Sequence, residues 1–473
     1  MAAVGKITPK PANKGAILGY SITSLIFLGL GILCFILLLG ITPDGSTETI
    51  GEIIALFLDD LMVLIVGAGA TIAQYWWIVL LIVVGLTAIG FLVGWLLLVL
   101  VSKLGHIIVY FGCALYIIGA LVGLIFIIPL NPLAALGPLI PAAGLIIGMF
   151  TNINKFKRAG EFMKFTGQVV LAEKGMIIAP LFVTLVSVLN FITMGAIFAY
   201  LVMVFQESIM WVGYVLGSLA SLLQLVIYYG MFYVAEAINT TYAYEWYRKR
   251  DPDMKFCVKN VAGLFGPILT FGIVTALVTW IQQMLRNSAA RTSKQGNVAG
   301  IIFAILARIV ASLMGIIFKY LTYFTLPAIT VEGKKFKDGV TRSFALLKKY
   351  YMDVLIRETG VSRGMSFIQF ISFLIYAIIG AIVGLIVGTT TSLDLLPAML
   401  ICIIPMIIFG NIPTFFIFRP MKTAYLTFIF AYAQDEETSH RLPSRMPAAL
   451  RGGIKEAEKS MDSSKSIAKL GMM

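Results

Sequence analysis

Polar and aromatic side chains recur inside stretches of this sequence that are otherwise apolar. In one such stretch Gln224, Tyr228 and Phe232 lie at four-residue intervals, so they share one face of a helix, and Glu236 follows them. A row of aromatic rings that ends near a carboxylate can hold a quaternary ammonium group, because both attract a cation. Aromatic residues also form belts at the membrane surface, and the pattern alone leaves both interpretations open.

Further polar groups lie within other apolar stretches. Asn190 and Thr193 could hydrogen-bond either a solute or an adjacent helix. Arg308 and Lys319, about three turns apart on nearly the same helix face, could line a path for an anion. We expect a buried partner for Arg308, whereas Lys319 could instead reach the lipid headgroups. The predicted solute-binding residues are Asn190, Gln224, Tyr228, Phe232, Glu236 and Arg308.

Motifs of soluble enzymes and metal sites are absent from the sequence. It has no P-loop run of glycine and lysine, no zinc-ligand spacing and no serine nucleophile elbow. The two histidines, His106 and His440, are too far apart in the sequence to indicate a cluster, and the four cysteines form no CxxC pair. We therefore expect no catalytic residue, no metal, no cofactor and no enzymatic activity.

The composition predicts that most of the chain lies in a lipid bilayer. Hydrophobic residues make up 59% of the chain and charged residues only 12%, against about 25% charged residues in ordinary globular proteins. The apolar runs are too long for outer-membrane strands and match the length of helices that cross a bilayer. The predicted fold is an all-α polytopic membrane protein with about ten transmembrane helices. The predicted spans are residues 16–41, 75–101, 104–128, 133–150, 176–205, 209–237, 262–285, 298–329, 366–388 and 395–418.

Basic residues predict the orientation, because translocated loops are depleted of Lys and Arg. Basic clusters that alternate as ten spans require occur near the N-terminus, at residues 155–158, 248–250 and 334–337, and after residue 418. They predict cytoplasmic N- and C-termini, although Arg286, Arg291 and Lys294 fall on the opposite side. We interpret the net charge of +13 as this topology signal and expect no nucleic-acid partner.

Segments between the spans are predicted to lie at the membrane surface. Three of them mix basic and apolar residues at helical spacing, so we expect amphipathic cytoplasmic interfacial helices that contact anionic lipid headgroups. These segments are residues 152–174, 251–261 and 332–358. Residues 50–74 are predicted to form an outer interfacial or re-entrant segment. The chain thus divides into an N-terminal segment (1–15), a transmembrane domain (16–433) and a flexible cytoplasmic tail (434–473).

Four sequence segments resemble the choline transporter-like family of ten-span membrane proteins. They are KFKRA at residues 155–159, which leads through a basic helix to Pro180, AITVEGKKF at 328–336, RSFALL at 342–347 and AQDEE at 433–437. The second half is also similar to uncharacterised prokaryotic membrane proteins. The resemblance implies a ten-span transport protein, with choline or a related amine as the expected solute.

Two functions remain open on the sequence alone. The first is transport of a small polar or cationic solute. The second is a structural or accessory subunit of a larger membrane complex, or a homo-oligomer, whose contacts would use glycines at four-residue intervals such as Gly380, Gly384 and Gly388. Such glycines favour packing inside one chain, and they could also form the sliding surface of a moving helix.

Overall fold

A computed structural model describes residues 7–40, 49, 52, 76–127, 136–151, 153–205, 210–293, 298–390, 395–437 and 443–445. The predicted outer segment at residues 50–74, apart from Glu52, and most of the tail lie outside these ranges. Within them the chain forms twelve helices and no strand. The helices are α1 (Lys14–Leu39), α2 (Trp76–Ile127), α3 (Leu136–Thr151), α4 (Ile153–Ala172), α5 (Gly175–Val204), α6 (Met210–Tyr247), α7 (Met254–Gly263), α8 (Phe265–Ser293), α9 (Val298–Thr322), α10 (Thr325–Glu332), α11 (Phe336–Thr390) and α12 (Leu395–Glu437).

The helices confirm an all-α polytopic membrane protein. Among the described residues, eight helices are long and apolar enough to cross a membrane, or nine if α3 and α4, bent by 96°, form one broken span. Helix α2 counts once although it covers two predicted spans, which meet at the non-helical backbone of Leu104 (φ −114°, ψ 23°). The predicted number of ten therefore requires α2 to cross twice, once on each side of Leu104, and the bent pair of α3 and α4 to count as one further span.

Two helices extend well beyond their predicted spans. Helix α12 continues from the predicted span at 395–418 through Glu437, so the buried residues Gln434 and Asp435 belong to the bundle rather than to the tail. Helix α6 continues to Tyr247. The two helices run parallel, because their contacts advance together along the chain, from Glu236 beside Arg419 to Tyr244 beside Gln434.

The predicted surface segment at 152–174 forms α4, and its position differs from a helix that contacts only lipid. Its polar face, with Lys157 and Gln168, is exposed, as an amphipathic helix requires. Its apolar face is buried against α2, α11 and α12, with Phe162 and Met163 fully enclosed. Amphipathic spacing alone does not distinguish burial against lipid from burial against protein, and here neighbouring helices supply much of the apolar surface.

The predicted segment at 332–358 likewise merges with its neighbours. Helix α11 runs without interruption from Phe336 to Thr390, so this segment and the predicted span at 366–388 form one helix. No proline interrupts this stretch of sequence, which allows the helix to continue. The span predicted at 298–329 instead divides at Tyr323 and Phe324 into α9 and the short, buried helix α10.

The structure gathers several basic segments at one end of the bundle. The Lys10 ammonium group donates to the carbonyl oxygen of Gly333 (3.0 Å), which joins the N-terminal segment to the turn before α11. At the same end Phe165 of α4 packs on Trp246 near the end of α6, with 5.1 Å between ring centroids. We call the region where α4, residues 333–337 and the C-terminal ends of α6 and α12 meet the basic end. The sequence predicts that it faces the cytoplasm.

The glycine series at residues 380, 384 and 388 lies against a neighbouring helix. A Cβ atom added at Gly380 or Gly384 would clash with the backbone of α12, at Ile403 and Met399 respectively, and a Cβ at Gly388 would lie 3.2 Å from the Leu395 Cα. These three glycines therefore pack two antiparallel helices inside one chain. They provide no support for an intermolecular face, which removes one basis for the accessory-subunit alternative.

Candidate solute-binding site

An acid–base pair lies between the parallel helices α6 and α12. The Arg419 Nε donates to Glu236 Oε1 at 3.1 Å, and the Thr423 hydroxyl donates to Glu236 Oε2. The side chains of Arg419 and Glu236 are only 9% and 14% exposed. Because a lone carboxylate is costly among apolar helices, the neighbouring guanidinium and hydroxyl stabilise its ionised form.

Aromatic rings surround this pair on both helices. The guanidinium carbon of Arg419 lies 4.2 Å from the ring centroid of Phe232 and 5.7 Å from that of Phe415. The ring of Tyr228 follows one turn away on α6, 5.8 Å from Phe232. The predicted acid and aromatic stripe therefore form one site, and in this conformation the cation inside it is the protein's own Arg419.

The aromatic cluster continues from α6 to α8. The hydroxyl of Thr279 donates to the Tyr229 hydroxyl oxygen at 3.2 Å, and Thr275 makes the same contact with Tyr233. The rings of Tyr233 and Phe271 stack with centroids 4.2 Å apart. These contacts fix the helix face adjacent to the pair, so the rings next to Glu236 belong to a packed layer.

The predicted site residues Asn190 and Gln224 meet at a different position. The Asn190 amide nitrogen donates to the backbone carbonyl of Gln224 at 3.3 Å, and this contact joins α5 to α6. Thr193 donates to the Leu189 carbonyl of its own helix and packs against Gly31 of α1. The Asn190 amide nitrogen and Thr193 therefore take part in helix packing in this conformation, as the sequence allowed. The buried side-chain oxygen of Asn190 has no hydrogen-bond partner among the described residues.

Arg308 does not join this site. It lies on an exposed face of α9, and no buried partner for it is seen among the described residues, so the expectation of such a partner is not met. Lys319 is also exposed on the same helix. Helix α9 packs mainly on α8 and α11, and its exposed face points away from the bundle, where a long basic side chain can extend toward headgroups. The two residues therefore do not line an internal path.

Three residues of this site are not among those predicted from the sequence: Phe415, Arg419 and Thr423. They lie at four-residue intervals on α12 and so share one helix face. In the sequence, Arg419 is one of the basic residues after position 418 that predict the orientation of the chain. The four-residue spacing of a ring, a cation and a hydroxyl was visible in the sequence, but nothing local pairs it with an acid 183 residues earlier.

A buried ion pair joins the same two helices at the basic end. The Arg248 guanidinium contacts Asp435 Oδ1, and the Tyr247 hydroxyl donates to Asp435 Oδ2 at 2.7 Å. The side chains of Arg248 and Asp435 are 1% and 4% exposed. Since both charges are removed from solvent, each depends on the other for compensation.

A chain of hydrogen bonds extends this contact to α10 and α11. Tyr244 donates to the Gln434 side-chain oxygen at 3.0 Å, and Gln434 donates to Glu332 at 2.9 Å. Arg342 contacts Glu332 and forms a two-pronged pair with Glu437, at 2.8 and 2.5 Å. Polar contacts thus connect four helices, α6, α10, α11 and α12, at the basic end.

Cys257 provides a test of how tightly α7 is packed at the basic end. The residue is fully buried, and this burial, followed by the charge of Asp253, raises the pKa of its thiol. Because the thiolate is the reactive form, we expect native Cys257 to resist maleimide at neutral pH while an exposed cysteine from Lys255→Cys on the same helix reacts. Mass spectrometry of labelled peptides measures both. Labelling of Cys257 as fast as in protein unfolded by detergent would contradict the packing of α7.

The sequence of this helix bundle matches the profile of a known protein family. The sequence profile of the family described as plasma-membrane choline transporter matches residues 136–437, which is more than half of the chain. The chain belongs to the choline transporter family. The match spans α3 to α12, so it includes the Glu236–Arg419 pair and the contacts at the basic end. Membership makes this chain a multi-pass membrane transporter, as the sequence resemblance implied. No curated protein matches the chain significantly.

Proposed function

We propose that this transporter moves a small organic cation across the membrane through the site between α6 and α12. The observation that carries the proposal is that an acid and a ring face, Glu236 and Phe232, already hold a cationic group in a largely buried position. Membership of the choline transporter family supports the same solute class.

The chemistry of the pair favours a cation over an anion. The Glu236 carboxylate and the ring of Phe232 both attract positive charge, and a ring face also accommodates methyl groups around a quaternary nitrogen. Binding of an anion would require a basic side chain whose charge is not already neutralised by an acid. The buried Arg419 is paired with Glu236, and Arg308 and Lys319 lie on an exposed face of α9.

Uptake into proteoliposomes tests the solute class. Wild-type protein is expected to accumulate labelled choline or tetramethylammonium but not acetate or glucose. Glu236→Gln removes the negative charge, so uptake of cations should fall by about tenfold or more, which corresponds to ~1.4 kcal/mol. Glu161→Gln, on the partly exposed face of α4, is the matched control and should transport like the wild type.

A second variant keeps the ion pair and removes only the ring. Phe232→Leu is expected to weaken binding of quaternary ammonium ions about 2- to 30-fold, because a desolvated cation–π contact contributes about 0.5–2 kcal/mol. Thermal unfolding in detergent verifies that each variant is folded. Absence of cation uptake by the wild type, or uptake that is unaffected in folded Glu236→Gln protein, would overturn the proposed function.

A further inference from the structure

Arg419 occupies the position that a solute cation would need. Both carboxylate oxygens of Glu236 are engaged, one by Arg419 and one by Thr423, and the ring face of Phe232 is covered by the guanidinium. A second cation therefore cannot use the acid and the ring while Arg419 remains there. Either Glu236 is not the solute site, or the guanidinium leaves when the solute binds.

The Glu236–Arg419 pair has a weaker hydrogen-bond geometry than the Arg342–Glu437 pair. Arg419 contacts the carboxylate through Nε alone, and its buried Nη2 atom has no hydrogen-bond partner among the described residues. Arg342 instead uses two nitrogens on two oxygens of Glu437. Because the two-pronged arrangement is the strong form of this contact, the Arg419 contact is the more readily exchanged.

An alternative acceptor lies one helical turn from Glu236. Asn239 is fully buried, and in the described part of the chain neither atom of its side-chain amide has a hydrogen-bond partner. Residues three apart on a helix are neighbours, with about 5–6 Å between their Cβ atoms. A buried acceptor without a partner is costly, so a guanidinium that moves away from Glu236 could donate to the side-chain oxygen of Asn239 and give that oxygen a partner.

We infer that Arg419 is a tethered counter-cation that the solute displaces from Glu236, with Asn239 receiving the guanidinium; this inference rests on the proposed function. In the empty transporter Arg419 neutralises Glu236, so the site can change conformation without an unpaired buried charge. When the solute binds, the site carries two cations and one anion. The repulsion between the cations limits affinity and favours release.

Removal of Arg419 is expected to strengthen cation binding, whereas removal of one partner of a purely structural ion pair would not. Arg419→Gln empties the site and removes the competing charge, so tetramethylammonium and choline should bind at least tenfold more tightly in an equilibrium binding assay. Net uptake should fall, because the empty variant must reorient with an unpaired Glu236. Exchange between labelled solute outside and unlabelled solute inside should persist. Lys422→Gln, at an exposed position three residues along α12, is the matched control and should leave all three measurements unchanged.

A second variant covers the case in which Arg419→Gln fails to fold. Asn239→Leu removes an unpaired buried amide, so its stability should be equal to or greater than that of the wild type. It also removes the alternative acceptor, and cation binding should therefore weaken. Equal or weaker cation binding by folded Arg419→Gln, or unchanged binding by Asn239→Leu, would overturn the inference while Glu236-dependent uptake by the wild type upholds the proposed function. If the wild type binds no cation, the proposed function fails and the inference fails with it.

Discussion

Replacing Asp435 by asparagine is expected to lower the free energy of unfolding by about 3–5 kcal/mol, because it leaves a buried guanidinium without its counter-charge. The partner Arg248 is 1% exposed, so solvent cannot substitute for the lost carboxylate. Thermal unfolding in detergent, or unfolding by titration with a denaturing detergent, measures the change.

Asp251→Asn is the matched control for this prediction. Asp251 pairs with Arg445 at 2.9 Å, but their side chains are 86% and 34% exposed, and surface pairs contribute only about 0–1 kcal/mol. Equal losses in the two variants would contradict the assignment of Arg248–Asp435 as a buried pair. The double variant Arg248→Met with Asp435→Leu should recover most of the lost stability, since apolar residues of similar volume can replace a buried pair.

Adding one methyl group at Gly380 is expected to destabilise the bundle by about 1–3 kcal/mol. The Cβ of Gly380→Ala would lie 2.6 Å from the Ile403 Cα and 3.1 Å from the Cys402 carbonyl oxygen. Both obstacles are backbone atoms, so no side-chain rearrangement relieves the clash and α11 must separate from α12. A lowered Tm and a lower yield of monodisperse protein would report this separation.

The control for this substitution is Gly123 of α2, which follows Gly119 at the same four-residue interval. A Cβ at Gly123 meets nothing within 4 Å, so Gly123→Ala should leave stability unchanged or slightly raised by the better helix propensity of alanine. If both substitutions had the same effect, the close approach of α11 and α12 would be wrong. The comparison thus separates glycines that permit helix contact from glycines that merely occur on an open face.

The buried ion pair and the proposed solute site share the helices α6 and α12. Glu236 and Arg419 lie at one level of these helices, and Arg248 and Asp435 lie further along toward the basic end. The two pairs differ in burial, because the side chains of Arg248 and Asp435 are 1% and 4% exposed, against 9% and 14% for Arg419 and Glu236. Hydrogen bonds from Tyr244 to Gln434 and from Gln434 to Glu332 also lie beside the basic-end pair. We therefore expect the basic-end pair to hold the helices together and the Glu236 pair to be exchangeable.

The sequence by itself determined that the chain is helical and where several of its spanning helices lie. Apolar length is set by bilayer thickness, and this is why the predicted span at residues 16–41 corresponds to α1 at Lys14–Leu39 and the span at 176–205 to α5 at Gly175–Val204. The spacing of Phe232 and Glu236 likewise placed both on one helix face. The four segments that carry the family resemblance all lie within residues 136–437, which the family profile matches.

Only the tertiary structure decided which faces of the helices meet. It paired Glu236 with Arg419, placed Arg308 on an exposed face, buried one side of α4 and showed that Gly380 contacts α12 while Gly123 does not. The physical reason is that lipid tails are as apolar as the side chains of a spanning helix. Hydropathy therefore fixes how far a helix extends through the membrane, but helix partners are selected by shape and by isolated polar contacts between residues distant in the chain.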